Sequence, residues 1–185
     1  KKKYKIISFP FRLEKVYKLE EWVRKKKFHY FIHFAAITSK QNKNYNKINL
    51  VNKKLPIKII GLLQKNFKKD FKYFLFISTS HVYGFHKKKI SEYDTRKPFS
   101  KYGNSKKAVE DFILDRKKSF YFKIGIARIF NFTSGKQDKG HFIPDVYEKI
   151  KNEKNLINLN KNRDFIHIDD VARSLKLMLN KKKDK

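Results

Sequence analysis

Cysteine is absent from the sequence, which removes disulfides, thiolate nucleophiles and cysteine-based zinc sites together. Glycine (6) and proline (4) are scarce. No Gly/Pro/Ser-rich linker or internal repeat divides the chain, which reads as one unit over residues 1–185. No glycine precedes Gly61, so the opening stretch holds no Gly-rich loop to cradle a pyrophosphate. Acidic side chains are few, 17 against 47 Lys and Arg. Long apolar runs are missing too: none approaches the ~20 residues that cross a bilayer. No apolar stretch with a small-residue cleavage site follows the basic start, so a secretory signal is not expected. Cytoplasmic location, no membrane partner and no metal site are the resulting expectations.

What is present is charge, aromatic rings and asparagine. The 185 residues carry a formal net charge of +30 and a pI near 10.1. Lysine supplies 40 of the cations and arginine only 7. Lys, Asn, Ile, Phe and Tyr are the residues of A/T-rich codons, so nucleotide composition accounts for much of this charge. At 40% hydrophobic and 16% aromatic, the chain is too apolar for a disordered basic tail. Its aromatics sit in apolar runs rather than between basic residues as base-stacking platforms would. A specific nucleic-acid partner is therefore not expected, although +30 keeps that alternative in view. It would require tight binding at physiological salt rather than attraction that salt abolishes.

Apolar runs suited to buried strands occur at Tyr4–Phe9, His29–Ala35, Lys72–Ser78 and Phe122–Phe130, with a short strand at Asp164–Ile168. Helical patterning is expected around Lys47–Asn66, Tyr102–Lys117, Pro144–Lys151 and Asp169–Leu179. Strands alternating with helices indicate βαβ units, hence an α/β, doubly wound parallel sheet. Ligands of such sheets lie beyond the carboxyl ends of the strands.

The run Lys72–Ser78 leads into Ser78-Thr79-Ser80-His81, which places hydroxyls and an imidazole at a strand's carboxyl end. These can hydrogen-bond a substrate, or simply cap a Ser/Thr-rich turn. Further on, Tyr102 and Lys106 are four residues apart and share a helix face. A free tyrosine, with pKa near ~10, is a poor base at neutral pH. A neighbouring ammonium favours the phenolate, so the pair can move protons. In a chain with 10 Tyr and 40 Lys such a pair also arises by chance.

The order of the motifs carries more than any one of them. Phe31-Ile32-His33-Phe34-Ala35-Ala36 is followed by Ile77-Ser78-Thr79-Ser80-His81-Val82-Tyr83-Gly84, then by Pro98-Phe99-Ser100-Lys101-Tyr102-Gly103-Asn104-Ser105-Lys106. Next come Ala127-Arg128-Ile129-Phe130-Asn131-Phe132, His141-Phe142-Ile143-Pro144 and Arg163-Asp164-Phe165-Ile166-His167-Ile168-Asp169-Asp170-Val171-Ala172. From about Tyr4 to Leu179 the series closely resembles the extended short-chain dehydrogenase/reductase family, the NAD-dependent epimerase/dehydratase group acting on nucleotide sugars.

The resemblance implies a Rossmann-like domain, with part of a substrate-binding lobe at about 132–168. It implies Tyr102 as catalytic acid/base on a sugar hydroxyl or keto oxygen, and Thr79 orienting that oxygen. Lys106 would lower the Tyr102 pKa and hold the nicotinamide ribose, with hydride chemistry supplied by NAD or NADP. Phe34, Ala35, Ala36 and Ser78 fall at cofactor-binding positions; Ser80, Asn131 and Arg163 fall at substrate-binding positions. A guanidinium suits a diphosphate. Members that dehydrate the sugar carry an acidic residue where this chain has Ser80 and His81. Dehydration is thereby disfavoured, and His81 becomes a second acid/base for epimerase or reductase chemistry. The compact segment between Phe9 and His33 leans toward deoxysugar 4-keto reductases. Relatives often pair through helices like 102–117, so a homodimer is plausible by resemblance.

The Gly-rich loop is the departure. With Thr79, Tyr102 and Lys106 all in place, the expectation is a sheet incomplete at both ends, part of a longer enzyme. The alternative is a degenerate homologue that binds nucleotide sugar without turnover.

Overall fold

The structure is a computed structural model that describes residues 4–38, 44–66, 70–86, 88–137, 140–155 and 163–181. Helix α1 (Val16–Lys25) leads into strand β1 (Tyr30–His33). Next come α2 (Tyr45–Asn49) and α3 (Leu55–Asn66), joined by a π-helical turn at Leu50–Lys54. Strand β2 (Tyr73–Thr79) passes through a 3₁₀ turn at Ser80–Val82 before α4 (Lys101–Asp115). The chain closes with β3 (Lys123–Ile129), β4 (Asn131–Thr133), α5 (Phe142–Lys151), β5 (Phe165–His167) and α6 (Ile168–Lys181).

Strands β1, β2 and β3 form a parallel sheet in that order, pairing Ile32 with Leu75 and Leu75 with Gly125. All seven residues of β2 are buried, because a central strand between two helical layers has no wet face. Alternation sorts its side chains. Phe74 and Phe76 meet Leu19 and Val23 of α1, Ile59, Ile60 and Leu63 of α3, and Val109 and Ile113 of α4. Tyr73, Leu75 and Ile77 face Val171 and Leu175 of α6. Helices on both faces make the expected doubly wound α/β architecture. β4 and β5 pair separately as a two-stranded parallel sheet.

The expected strand at Tyr4–Phe9 does not form. An apolar run becomes a strand only when its backbone finds a ladder, and this one spends its side chains instead. Tyr4 packs edge-on against Tyr30 and Phe9 against Trp22, while Ile6 stays 85% exposed. The expected helix at Lys47–Asn66 is present but interrupted by the π turn, which buries Asn52. That amide accepts from the Ile37 backbone N–H and donates to the Ile37 carbonyl, both at 2.8 Å. It also donates to Ser105 Oγ of α4 at 3.2 Å, so one side chain joins the loop after β1 to the helix that carries Tyr102. Among the described residues no helix is long and apolar enough to cross a membrane.

Candidate active site

The carboxyl end of β2 and the first two turns of α4 build the site. Ser100 caps α4, its Oγ accepting from the Gly103 backbone N–H at 3.0 Å, so the helix begins where Tyr102 must point. Gly103 is there because nothing larger fits: a Cβ would lie 2.7 Å from the His81 carbonyl oxygen and 2.9 Å from Pro98 Cβ. Gly84 closes the turn after His81 with φ of +77°, a conformation glycine adopts readily.

This close crossing brings Thr79 and Tyr102, 23 positions apart in sequence, close enough for the Thr79 side chain to act on the phenol. Burial raises the Tyr102 pKa, and the Thr79 hydrogen bond pulls weakly the other way. The His81 ring stands edge-on to Tyr102 at 5.7 Å. It reaches the surface, yet partial desolvation lowers its pKa, so the neutral imidazole prevails at pH 7. Thr79 Oγ1 also accepts from the His81 backbone N–H at 3.3 Å.

Lys106 lies one turn below Tyr102 and is 1% exposed. Its Nζ donates to the Ile77 carbonyl at 2.6 Å and sits 4.5 Å from the centre of the Phe76 ring. Desolvation lowers its pKa to about 8, against an opposing pull from Glu110. The anticipated lowering of Tyr102 by this ammonium is not seen: burial raises the phenol, Thr79 is what opposes it, and the Lys106 ammonium is turned to the Ile77 carbonyl.

The remaining anticipated residues fall in three places. Phe34 (60% exposed), Ala35 and Ala36 lie just past β1. Ala35 and Ala36 border a groove of about 520 Å³ shared with Phe11, Arg12 and Lys47. Ser80 is half-buried in the 3₁₀ turn, its carbonyl accepting from the Tyr83 N–H at 3.0 Å. Ser78 is buried and turned away from Thr79, donating its hydroxyl to Glu110 of α4. Asn131 and Arg163 belong to the second sheet. Asn131 donates to the Asp164 carbonyl at 3.2 Å, and the exposed Arg163 guanidinium lies 4.7 Å over the Phe142 ring.

Sequence reasoning overlooked the residues that hold this constellation from beneath. Glu110 is fully buried and accepts from Ser78, from Arg96 at 3.0 Å and from Arg128 at 2.8 Å. Arg128 also donates to the Tyr83 hydroxyl at 2.7 Å and the Glu92 carbonyl at 2.9 Å. The available signal was the spacing Tyr102, Lys106, Glu110, which repeats every four residues along one helix face. His33 was quoted only as part of a motif. It is buried between Phe74 and Phe76, its Nε2 has no hydrogen-bond partner, and desolvation depresses its pKa to about 3.

A parallel, doubly wound sheet with Thr79, Tyr102 and Lys106 gathered at the carboxyl end of β2 defines the class of α/β protein whose ligands bind beyond the carboxyl ends of the strands. Within that class the chain belongs to the NAD dependent epimerase/dehydratase family, whose model matches residues 11–185. No curated protein matches it at a significant level. Among solved structures, it is similar to the Bacillus cereus UDP-glucuronic acid 4-epimerase in complex with UDP-glucuronic acid and NAD. There the TM-score is 0.77 at 24% identity, over 90% of this chain and 53% of the other. WbmG from Bordetella bronchiseptica, in complex with NAD and UDP, superimposes with a TM-score of 0.78 at 22% identity, over 91% and 52%. The Methanobrevibacter ruminantium UDP-N-acetylglucosamine 4-epimerase gives 0.71 at 24%, over 84% and 52%. The 185 residues thus span about half the length of these proteins.

Proposed function

We propose that the chain carries the acid/base half of an NAD(P)-dependent epimerase or reductase acting on a nucleotide-activated sugar. The observation that carries this reading is the half-buried Tyr102 phenol set beside Thr79 at the carboxyl end of β2, with Lys106 buried one turn along α4. The substrate class to test first is a UDP-sugar, because the similar structures hold UDP, UDP-glucuronic acid or UDP-N-acetylmuramic acid.

The residues present fit the nicotinamide-ribose half of the cofactor. Lys106 carries a buried ammonium one turn along α4 from Tyr102, and Ala35 and Ala36 give small side chains just past β1, next to an open groove. Phe34, Ala35, Ala36, Tyr102 and Lys106 would hold it; when bound, NAD supplies or removes a hydride at a sugar carbon. Ser78 is better assigned to the core than to the cofactor, since its hydroxyl is committed to Glu110. The chain's own residues handle the proton. Tyr102, kept protonated by burial, donates to a keto oxygen that Thr79 orients, and recovers the proton in the reverse direction. The neutral His81 beside it is placed to accept a proton. Asn131 and Arg163 would meet the nucleotide diphosphate from the second sheet.

The test is turnover of UDP-4-keto sugars and UDP-hexoses with NAD(H) or NADP(H), beside calorimetric titration of UDP. Tyr102→Phe is expected to lose at least about 100-fold in turnover while still binding UDP. Unchanged turnover in that variant refutes the assignment. UDP binding without turnover in the parent supports instead the non-catalytic homologue.

A further inference from the structure

The core beneath Tyr102 contains a carboxylate that the proposed chemistry does not use. Burying a charge is costly unless it is paired and hydrogen-bonded, and Glu110 satisfies that demand fully. Its two oxygens receive Ser78 from β2, Arg128 Nε and Nη2 from β3, and Arg96 from the segment that precedes α4. Arg96 is braced in turn by Asp111 at 2.9 Å, and Asp111 by Lys107 at 2.8 Å.

Lys106 is surrounded differently. From β1 it meets His33, which stacks on the same Phe76 ring and feels the ammonium charge. From β2 it meets Phe76 and the Ile77 carbonyl. On its own helix lie Tyr102 and Glu110, one turn to either side. Neither a neutral imidazole nor a phenol balances an ammonium; Glu110, buried four residues along the same helix and itself paired with Arg96 and Arg128, is the carboxylate whose charge opposes the desolvation of Lys106.

We propose that Glu110 is a positioning residue for Lys106: pinned by Ser78, Arg96 and Arg128, its carboxylate is the counter-charge that retains a buried ammonium one turn below Tyr102. It reaches the reacting atoms only through Lys106. The same clamp fixes the seating of α4 on β2, since Arg128 and Ser78 anchor Glu110 to two adjacent strands. The inference rests on the reading of Lys106 as the ammonium of the active site, but its test does not require turnover.

The experiment follows the ¹³Cε resonance of Lys106 against pH in the full chain. The resonance is identified by its displacement over the Phe76 ring and by its loss in Lys106→Met. The parent is expected to titrate near pH 8. Glu110→Gln, which keeps the shape and removes the charge, is expected to lower the midpoint by about one pH unit, a tenfold loss of proton affinity. A purely structural Glu110 would reduce resistance to urea and leave that midpoint unmoved, and this result overturns the proposal. Should Glu110→Gln not fold, Glu110→Asp withdraws the charge by one methylene. It is expected to lower the midpoint by a smaller amount, and an unmoved midpoint there overturns the proposal equally. A moved midpoint in a parent without turnover refutes the proposed function alone, and an unmoved one in an active parent refutes this inference alone.

Discussion

Gly103 and Gly61 offer the same substitution with opposite expected signs. Both lie within helices, where alanine is favoured over glycine by up to about 1 kcal/mol. At Gly61 a Cβ meets nothing within 4 Å, so Gly61→Ala is expected to stabilise by about 0.5–1 kcal/mol. At Gly103 the Cβ would lie 2.7 Å from the His81 carbonyl oxygen and 2.9 Å from Pro98 Cβ. Backbone and a proline ring cannot swing aside as a flexible side chain would. Overpacking of this kind costs about 1–3 kcal/mol, which exceeds the helical gain and leaves Gly103→Ala destabilised by about 1–2 kcal/mol. Urea unfolding followed by circular dichroism resolves both effects, provided the m-value is constant across the three proteins. A Gly103→Ala protein as stable as the parent would refute the reasoning, because the close crossing of turn and helix would then not be tight. If the crossing is tight, the variant also separates Thr79 from Tyr102, so turnover should fall further than stability alone explains.

Ser100→Ala removes the α4 cap and is expected to cost about 1 kcal/mol by urea unfolding, with Ser100→Asp restoring most of it. His33 makes stability pH-dependent. Its folded pKa of about 3 lies below the ordinary imidazole value of 6.5, so the unfolded chain binds more protons between those values. The contribution is full above pH 6.5 and is lost as pH falls toward 3, at up to about 1.4 kcal/mol per unit. His33→Phe, which keeps a ring between Phe74 and Phe76, should flatten the unfolding free energy across that window, and an unchanged slope would show that other groups set it.

The sequence revealed the sheet best where burial leaves no choice. The run Lys72–Ser78 lies within one residue of the observed β2, because a strand covered on both faces reads as unbroken hydrophobicity. Tyr4–Phe9 misled for the reverse reason: apolar side chains can be buried locally without any backbone ladder. The Tyr102–Lys106 pair followed from helical spacing alone. Its contact with Thr79 did not, since no local rule brings together residues on two elements joined by a turn and a loop. Resemblance supplied that link, and the two glycines make it possible. Glu110 was hidden among charges because a surface carboxylate and a buried one look alike in sequence. Only Arg96 and Arg128, reaching it from 14 and 18 positions away, distinguish them.

Asn52 has a consequence for how the site tolerates change. By giving and receiving at Ile37, its side-chain amide imitates one rung of a β-ladder past the end of β1, and its third bond ends on Ser105, the neighbour of Lys106. The groove lining at Ala35 and Ala36 and the helix that carries Tyr102 therefore share one hinge pin. Replacing its nitrogen by oxygen, as in Asn52→Asp, would set a carboxylate against the Ile37 carbonyl and release both segments at once. A defect born at that one atom would surface as two apparently unrelated faults, a loosened segment at Ala35 and Ala36 and a displaced Tyr102.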